Sequence, residues 1–191
     1  LLVTCGGKLT MEFYLLDHSS ADIDSSVSAL CSYRTTGSKA TIDHRMNAVR
    51  SVPLPSGTNY HLVVSGDSEG NIHVVIVSEL PKSRNTTIGE ILKGNGRPVL
   101  CLELVIFNGF VLAFVGTTGG VIQLWTFNID KLLCCCNESE GGLHILGGVL
   151  PTTASCEFQA HQSGVNDLSA STVSGECESV VVCSVGDDQA V

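Results

Sequence analysis

Three groups of residues in this 191-residue chain have the types needed for chemistry. Cys134, Cys135 and Cys136 are adjacent, with His144 eight residues on. His161, Ser184 and Asp188 have the types of a base, nucleophile and acid. Asp187-Asp188 and the pair Asp67/Glu69 offer carboxylates for a cation or for acid–base work. Each group has a plainer reading. Zinc sites usually space paired cysteines two to four residues apart, because adjacent thiolates do not easily share one tetrahedral ion. No second CxxC or HxxxH completes a ligand set, so 134–136 reads as a cysteine-rich surface strand or loop. No GxSxG elbow raises a serine for attack, and His161, Ser184 and Asp188 are better explained as a structural polar chain in a repeated β unit. The glycine runs 116–120 and 141–148 contain neither GxGxxG ahead of a helix nor a P-loop lysine. Carboxylates at strand turns usually bond the amides of the turn itself. His73 reads as an exposed or partly buried residue of a half-polar strand, with no partner. No catalytic residue, cofactor or metal is expected, and the chain reads as a non-enzyme.

The elements that would position these residues are strands. One pattern occurs three times, an apolar strand, a tight Gly/Asp/Ser turn and a second apolar strand: HLVVSGDSEGNIHVVIV (61–77), FVLAFVGTTGGVIQLWTF (110–127) and SVVVCSVGDDQAV (179–191), the last stopping just after its turn. Such recurrence is the signature of β-propeller blades. The turn glycines Gly70 and Gly120 are 50 residues apart, longer than the usual repeat of about 40–45 residues, so insertions are expected in the loops. Two short strands are expected around Gly6-Gly7, a polar loop over 17–41, a strand at 46–54, a polar connector over 81–97, and a hairpin at 99–116 turning on Asn108-Gly109. The stretch 131–157 is expected to be irregular, with a brief strand at ILGGVL, and little helix is expected anywhere. The domain reading is a partial blade and polar loop over 1–41, then degenerate blades over 42–191, truncated inside the last.

Composition narrows the classes. Hydrophobic residues make up 43% and charged residues 15%, a globular balance. A net charge of −9 with ten scattered basic residues excludes a phosphate-gripping surface. The longest apolar runs are strand-sized, so no membrane helix is expected. Nine cysteines without a regular framework suggest a reduced, cytoplasmic protein. The sequons at Asn85 and Asn137 keep a secreted alternative open.

The copies also carry parts of a known pattern. In the WD40 class a His precedes the innermost strand, a Ser or Thr sits on the second strand, an Asp in the following turn and a Trp near the end of the third. The third copy resembles it through Ala160-His161, Ser184 and Asp188. The second supplies Trp125, followed by Thr126 in place of Asp. The first has Ser65, with Glu69 where Asp belongs and Val75 at the Trp position. The resemblance implies an all-β fold, a partial WD40-type propeller of about three to four incomplete blades forming an open fragment. It also implies a blade polar network of His161, Ser184, Asp188, Trp125 and Ser65. More narrowly, FQAHQSGVNDL, the 179–191 copy and the DHRM segment at 43–46 are similar to the C-terminal part of the WD repeat-containing protein 6 family, over about residues 40–191. That likeness implies a non-catalytic scaffold, an accessory subunit for an FtsJ-type methyltransferase that 2′-O-methylates the tRNA wobble ribose. The partner is then that methyltransferase, with tRNA contacted through the full complex rather than through a basic surface here. The alternative is a generic WD40 adaptor in ubiquitin ligation, trafficking or signalling.

Overall fold

A computed structural model of the chain describes residues 1–6, 10–16, 27–34, 44–55, 58–79, 87–137, 146, 148–175 and 178–188. The fold is all-β, with one short helix among the described residues. The strands form four open antiparallel sheets, each running in chain order. The first sheet holds β1 (Leu2–Gly6), β2 (Thr10–Leu16) and β3 (Val27–Arg34). The second holds β4 (Met46–Pro53), β5 (Tyr60–Asp67), β6 (Asn71–Ser78) and β7 (Thr87–Lys93). The third holds β8 (Val99–Phe107), β9 (Phe110–Thr117), β10 (Val121–Asn128) and β11 (Cys156–Gln159). The fourth holds β12 (Val165–Val173) and β13 (Ser179–Gly186).

The hairpins form where strand-length apolar runs meet at residues that tolerate positive φ. Asn108 (φ 47°) and Gly109 (φ 79°) turn β8 into β9, and Gly70 (φ 84°) and Gly120 (φ 73°) close the two tight turns. The sheets stack face to face. Met11 and Phe13 of the first meet Met46, Val63 and Val75 of the second. Leu62, Val64, Ile72 and Val74 of the second meet Val111, Ala113, Val115 and Trp125 of the third. Cys101, Phe114 and Ile122 of the third meet Val165 and Leu168 of the fourth. The second sheet therefore buries both faces, which is why its strands read as continuous apolar runs. Each Val or Leu so buried contributes about 1.5–3 kcal/mol.

One local geometry recurs in the second, third and fourth sheets. The first strand opens on a pair, Met46↔Asp67, Val99↔Thr117 or Val165↔Gly186. The register then shifts by one residue between Met46/Ala48, Val99/Cys101 and Val165/Asp167. These three β-bulges leave Asn47, Leu100 and Asn166 unpaired on the first strand. The first strands lie in a row, β4 against β8 and β8 against β12, with β1 beside β4. Glycine on the second strand lets the next sheet approach. A Cβ on Gly66 would come within 2.3 Å of Val99, and one on Gly116 within 2.5 Å of Cys101 and 2.8 Å of Val165.

Several expectations are corrected. The polar loop over 17–41 contains β3, and the connector over 81–97 contains β7. Among the described residues both are outer strands, paired on one side, and such strands accept Ser, Gly and charged residues. The cysteine triple lies in helix α1 (Ile129–Asn137), not in a strand or loop. Asn128 caps it, its Oδ1 accepting the Lys131 amide at 2.9 Å. Ile129, Leu132 and Cys136 then face the core between the second and third sheets. The described residues of ILGGVL form a turn, with the Val149 amide donating to the Leu146 carbonyl at 2.9 Å. Gln189–Val191, His144 and Asn85 lie outside the described residues. Among the described residues no helix is long and apolar enough to cross a membrane.

Candidate functional site

The polar residues of the sheets gather at one end, beside the tight turns. In the second sheet Asp67 is the last residue of β5 and fully buried. Its Oδ1 accepts the Glu69 and Asn71 amides at 2.9 and 2.8 Å. Its Oδ2 accepts the Asn71 side-chain amide at 3.0 Å and meets His44 Nε2 and His73 Nε2, each at 2.8 Å. Burial alone would raise this carboxyl, but the hydrogen bonds from His73, Asn71 and His44 prevail and hold it well below the usual carboxylate range. An ionised Asp67 makes both Nε2 atoms donors. His44 Nδ1 lies 3.4 Å from Glu69 Oε1, and His73 Nδ1 has no hydrogen-bond partner among the described residues.

This cluster corrects the reading of His73, which is buried and paired rather than half-exposed and alone. His44 escaped the sequence reading as well. The signal was alternation. In a tight hairpin Ser65, Asp67, Asn71 and His73 share a face, with Ser65 opposite His73 in register. Ser65 nonetheless stays outside the cluster. Its Oγ donates to the Ala48 carbonyl at 2.8 Å and lies 3.2 Å from Met46 Sδ, tying β5 to β4.

The fourth sheet brings His161, Ser184 and Asp188 together. His161 Nδ1 is 2.6 Å from Asp188 Oδ2, and its Nε2 is 2.9 Å from Ser184 Oγ. Asp188 Oδ1 also accepts the Gln162 and Ser163 amides at 2.7 and 3.2 Å, pinning the chain that leads into β12. Partial loss of hydration would raise the Asp188 carboxyl, but the bonds from His161 and the two amides hold it lower than usual. With Asp188 ionised, Nδ1 carries the donated proton and a neutral imidazole accepts from Ser184.

The connectivity Ser–His–Asp is that of a nucleophilic triad, but its setting differs. Ser184 lies mid-strand, paired with Leu168, not at the tip of a strained elbow. It shares the face of Val180 and Val182, which pack against the third sheet. The arrangement ties a loop to a strand.

Among the described residues the third sheet has no such cluster. Thr117 stands at the register of Asp67 and donates to the Val121 carbonyl at 3.2 Å. Gln123 stands at the register of His73 and donates to Glu157 Oε1. Trp125 is fully buried opposite Ala113, and its Nε1 has no hydrogen-bond partner among the described residues, so it joins no polar network. Its role is apolar packing against the second sheet.

Among the described residues no group of three or more His, Cys, Asp or Glu side chains is placed to hold a metal ion. Along α1, Cys134 is exposed and Cys136 buried, with Cys136 Sγ 3.3 Å from the Leu132 carbonyl. Burial pushes the Cys136 thiol up to about 11, away from reactive thiolate character. No protein-family model matches the chain, and no curated protein matches its sequence.

Proposed function

We propose that the chain is part of a WD40-type β-propeller acting as a non-catalytic scaffold, an accessory to a methyltransferase that 2′-O-methylates the tRNA wobble ribose. The observation that carries the propeller reading is the recurring bulge at the opening pair of β4, β8 and β12, with those strands in a row. Radially arranged blades would place their innermost strands this way. The histidine–carboxylate clusters support it, since each pins the lead-in of a first strand to the turn after a second strand.

The scaffold reading draws on Ser184, whose Oγ is bonded to His161 on a face packed against the third sheet. The methylation reading rests on the AHQSGVN and DHRM segments. With a net charge of −9 the chain meets protein rather than tRNA phosphates. Affinity capture of the full-length protein tests this, with the eluate probed for a ribose 2′-O-methyltransferase and tRNA assayed for wobble-ribose methylation after depletion. Co-recovery of the enzyme and loss of the methyl group are expected. Recovery of ligase or trafficking components without the methyltransferase would overturn the tRNA reading and leave the propeller standing.

A further inference from the structure

Basic residues that lie far apart in the sequence are brought together by the fold around the tight turn of the second sheet, Asp67–Asn71. The Arg45 carbonyl accepts the Ser68 amide at 2.9 Å, and the Arg45 amide donates to Ser68 Oγ at 3.1 Å. Lys93, the last residue of β7, stands opposite Asn71. Arg97 leads into β8, and a Cβ on Gly70 would come within 2.6 Å of its carbonyl oxygen. Its side chain runs along the turn of the third sheet, with Cγ 3.6 Å from where a Cβ on Gly119 would lie.

All three cations are exposed. Among the described residues none of them has a carboxylate within ion-pair distance, whereas Arg50 lies 3.4 Å from Glu103. The chain has 19 acidic residues and ten basic ones, so the cations at this turn reverse its net charge locally. Within the turn itself Asp67 is buried against His44 and His73, and Glu69 is the exposed carboxylate.

The fourth sheet has the opposite charge at the same end. Asp187 and Asp188, both exposed, stand at the register positions of Ser68 and Glu69. Ser163 and Gly164 lead into β12 where Arg97 and Pro98 lead into β8. The tight-turn end is therefore positive over the second sheet and its junction with the third, and negative over the fourth. A long polyanion such as a nucleic acid crossing this end would leave the cations and meet Asp187 and Asp188. A short anionic segment held over the second and third sheets avoids that repulsion.

We propose that the tight-turn end of the second sheet is a docking site for a short acidic segment of another polypeptide, whose carboxylates are received by Arg45, Lys93 and Arg97. Arg97 contributes most to specificity, because a planar guanidinium holds a carboxylate through two parallel hydrogen bonds. Glu69 opposes the same ligand. The inference is independent of the tRNA-methylation reading.

The probe is a hexaglutamate peptide, with hexaglutamine as its neutral counterpart, each titrated into the full-length protein. Hexaglutamate is expected to bind, more weakly as salt is raised, and hexaglutamine not to bind. Arg97→Glu is expected to weaken hexaglutamate binding about tenfold, and Glu69→Gln to tighten it about twofold. Lys131→Glu makes the same change in net charge on α1, at the opposite end of the sheets, and is expected to leave binding unchanged. Equal losses in Arg97→Glu and Lys131→Glu would reduce the effect to overall charge and overturn the proposal. Equal affinity for the two peptides would overturn it as well. So would a uridine hexanucleotide that binds more tightly than hexaglutamate and is weakened by Arg97→Glu, since the patch would then belong to a nucleic acid.

Discussion

The turn of the second sheet and the turn of the fourth both join imidazole to carboxylate, but from different positions in the register. At the register of Asp67 the fourth sheet has Gly186, where a Cβ would come within 2.6 Å of the His161 ring. The ring fills the space that the Asp67 side chain takes in the second sheet. The carboxylate has moved two residues on, to Asp188, where its side chain is 32% exposed instead of fully buried. What the two turns share is a contact, not a residue position. The third sheet has Thr117 and Gln123 in place of the carboxylate and one imidazole, so the partners are lost together rather than left unpaired.

The contrast in burial sets the order of the expected effects. Asp67→Ala strands His44, His73 and two turn amides in the interior and should cost about 3–5 kcal/mol, read from the midpoint of denaturant unfolding. Asp188→Ala should act locally, through faster hydrogen exchange at Gln162 and Ser163. A loss at Asp188 as large as that at Asp67 would erase the distinction between the two turns. The same contrast appears in acid. The folded-state value of Asp67 lies below its unfolded value of about 3.9. Its contribution to stability is therefore present above about pH 4 and lost as the pH falls through the folded value. Asp67→Asn should be less stable at neutral pH and lose less on further acidification. An acid limb as steep as the wild type's would remove Asp67 from that role.

A middle-sized effect separates the sheets through their glycines. Gly66→Ala drives a methyl into Val99 and should cost about 1–3 kcal/mol by thermal unfolding. The equivalent residue of the fourth sheet is Val185, already exposed. Val185→Gly should cost only the backbone term, about 0.5–1 kcal/mol. The smallest effect distinguishes the serines. Ser184→Ala and Ser65→Ala should each cost about 0.5–1.5 kcal/mol. Only Ser184→Ala should move the imidazole resonances of the neighbouring histidine, because Ser65 bonds a backbone carbonyl.

The hairpins β5–β6, β8–β9 and β9–β10 were legible because they combine strand-length apolar runs with turn residues at tight corners, as at Asn108-Gly109. β3 and β7 were not, since a strand paired on one side needs little apolar content; Thr87, Gly89, Glu90 and Lys93 resemble a connector until Ile88 and Leu92 find Ile76 and Ile72 in register. α1 was hidden by its three cysteines, poor helix formers, although the cap at Asn128 and the spacing of Ile129, Leu132 and Cys136 were available. The cluster of His161, Ser184 and Asp188 was legible through pattern. That of Asp67 was legible only in its bonds to the turn amides, because the WD40 pattern sets Glu69 at the acidic position while the carboxylate that His44 and His73 contact ends the strand.

The bulges at Asn47, Leu100 and Asn166 bear on how the chain tolerates length changes. Because side chains alternate with period two, one extra residue swaps inward for outward for everything on its far side. Each bulge thus works as a phase correction between the lead-in and its strand. A single-residue deletion at Asn47 would leave β4 in step with β5 while rotating Met46 and His44 to the opposite face. The same deletion among the loop residues between β4 and β5 shifts no established alternation.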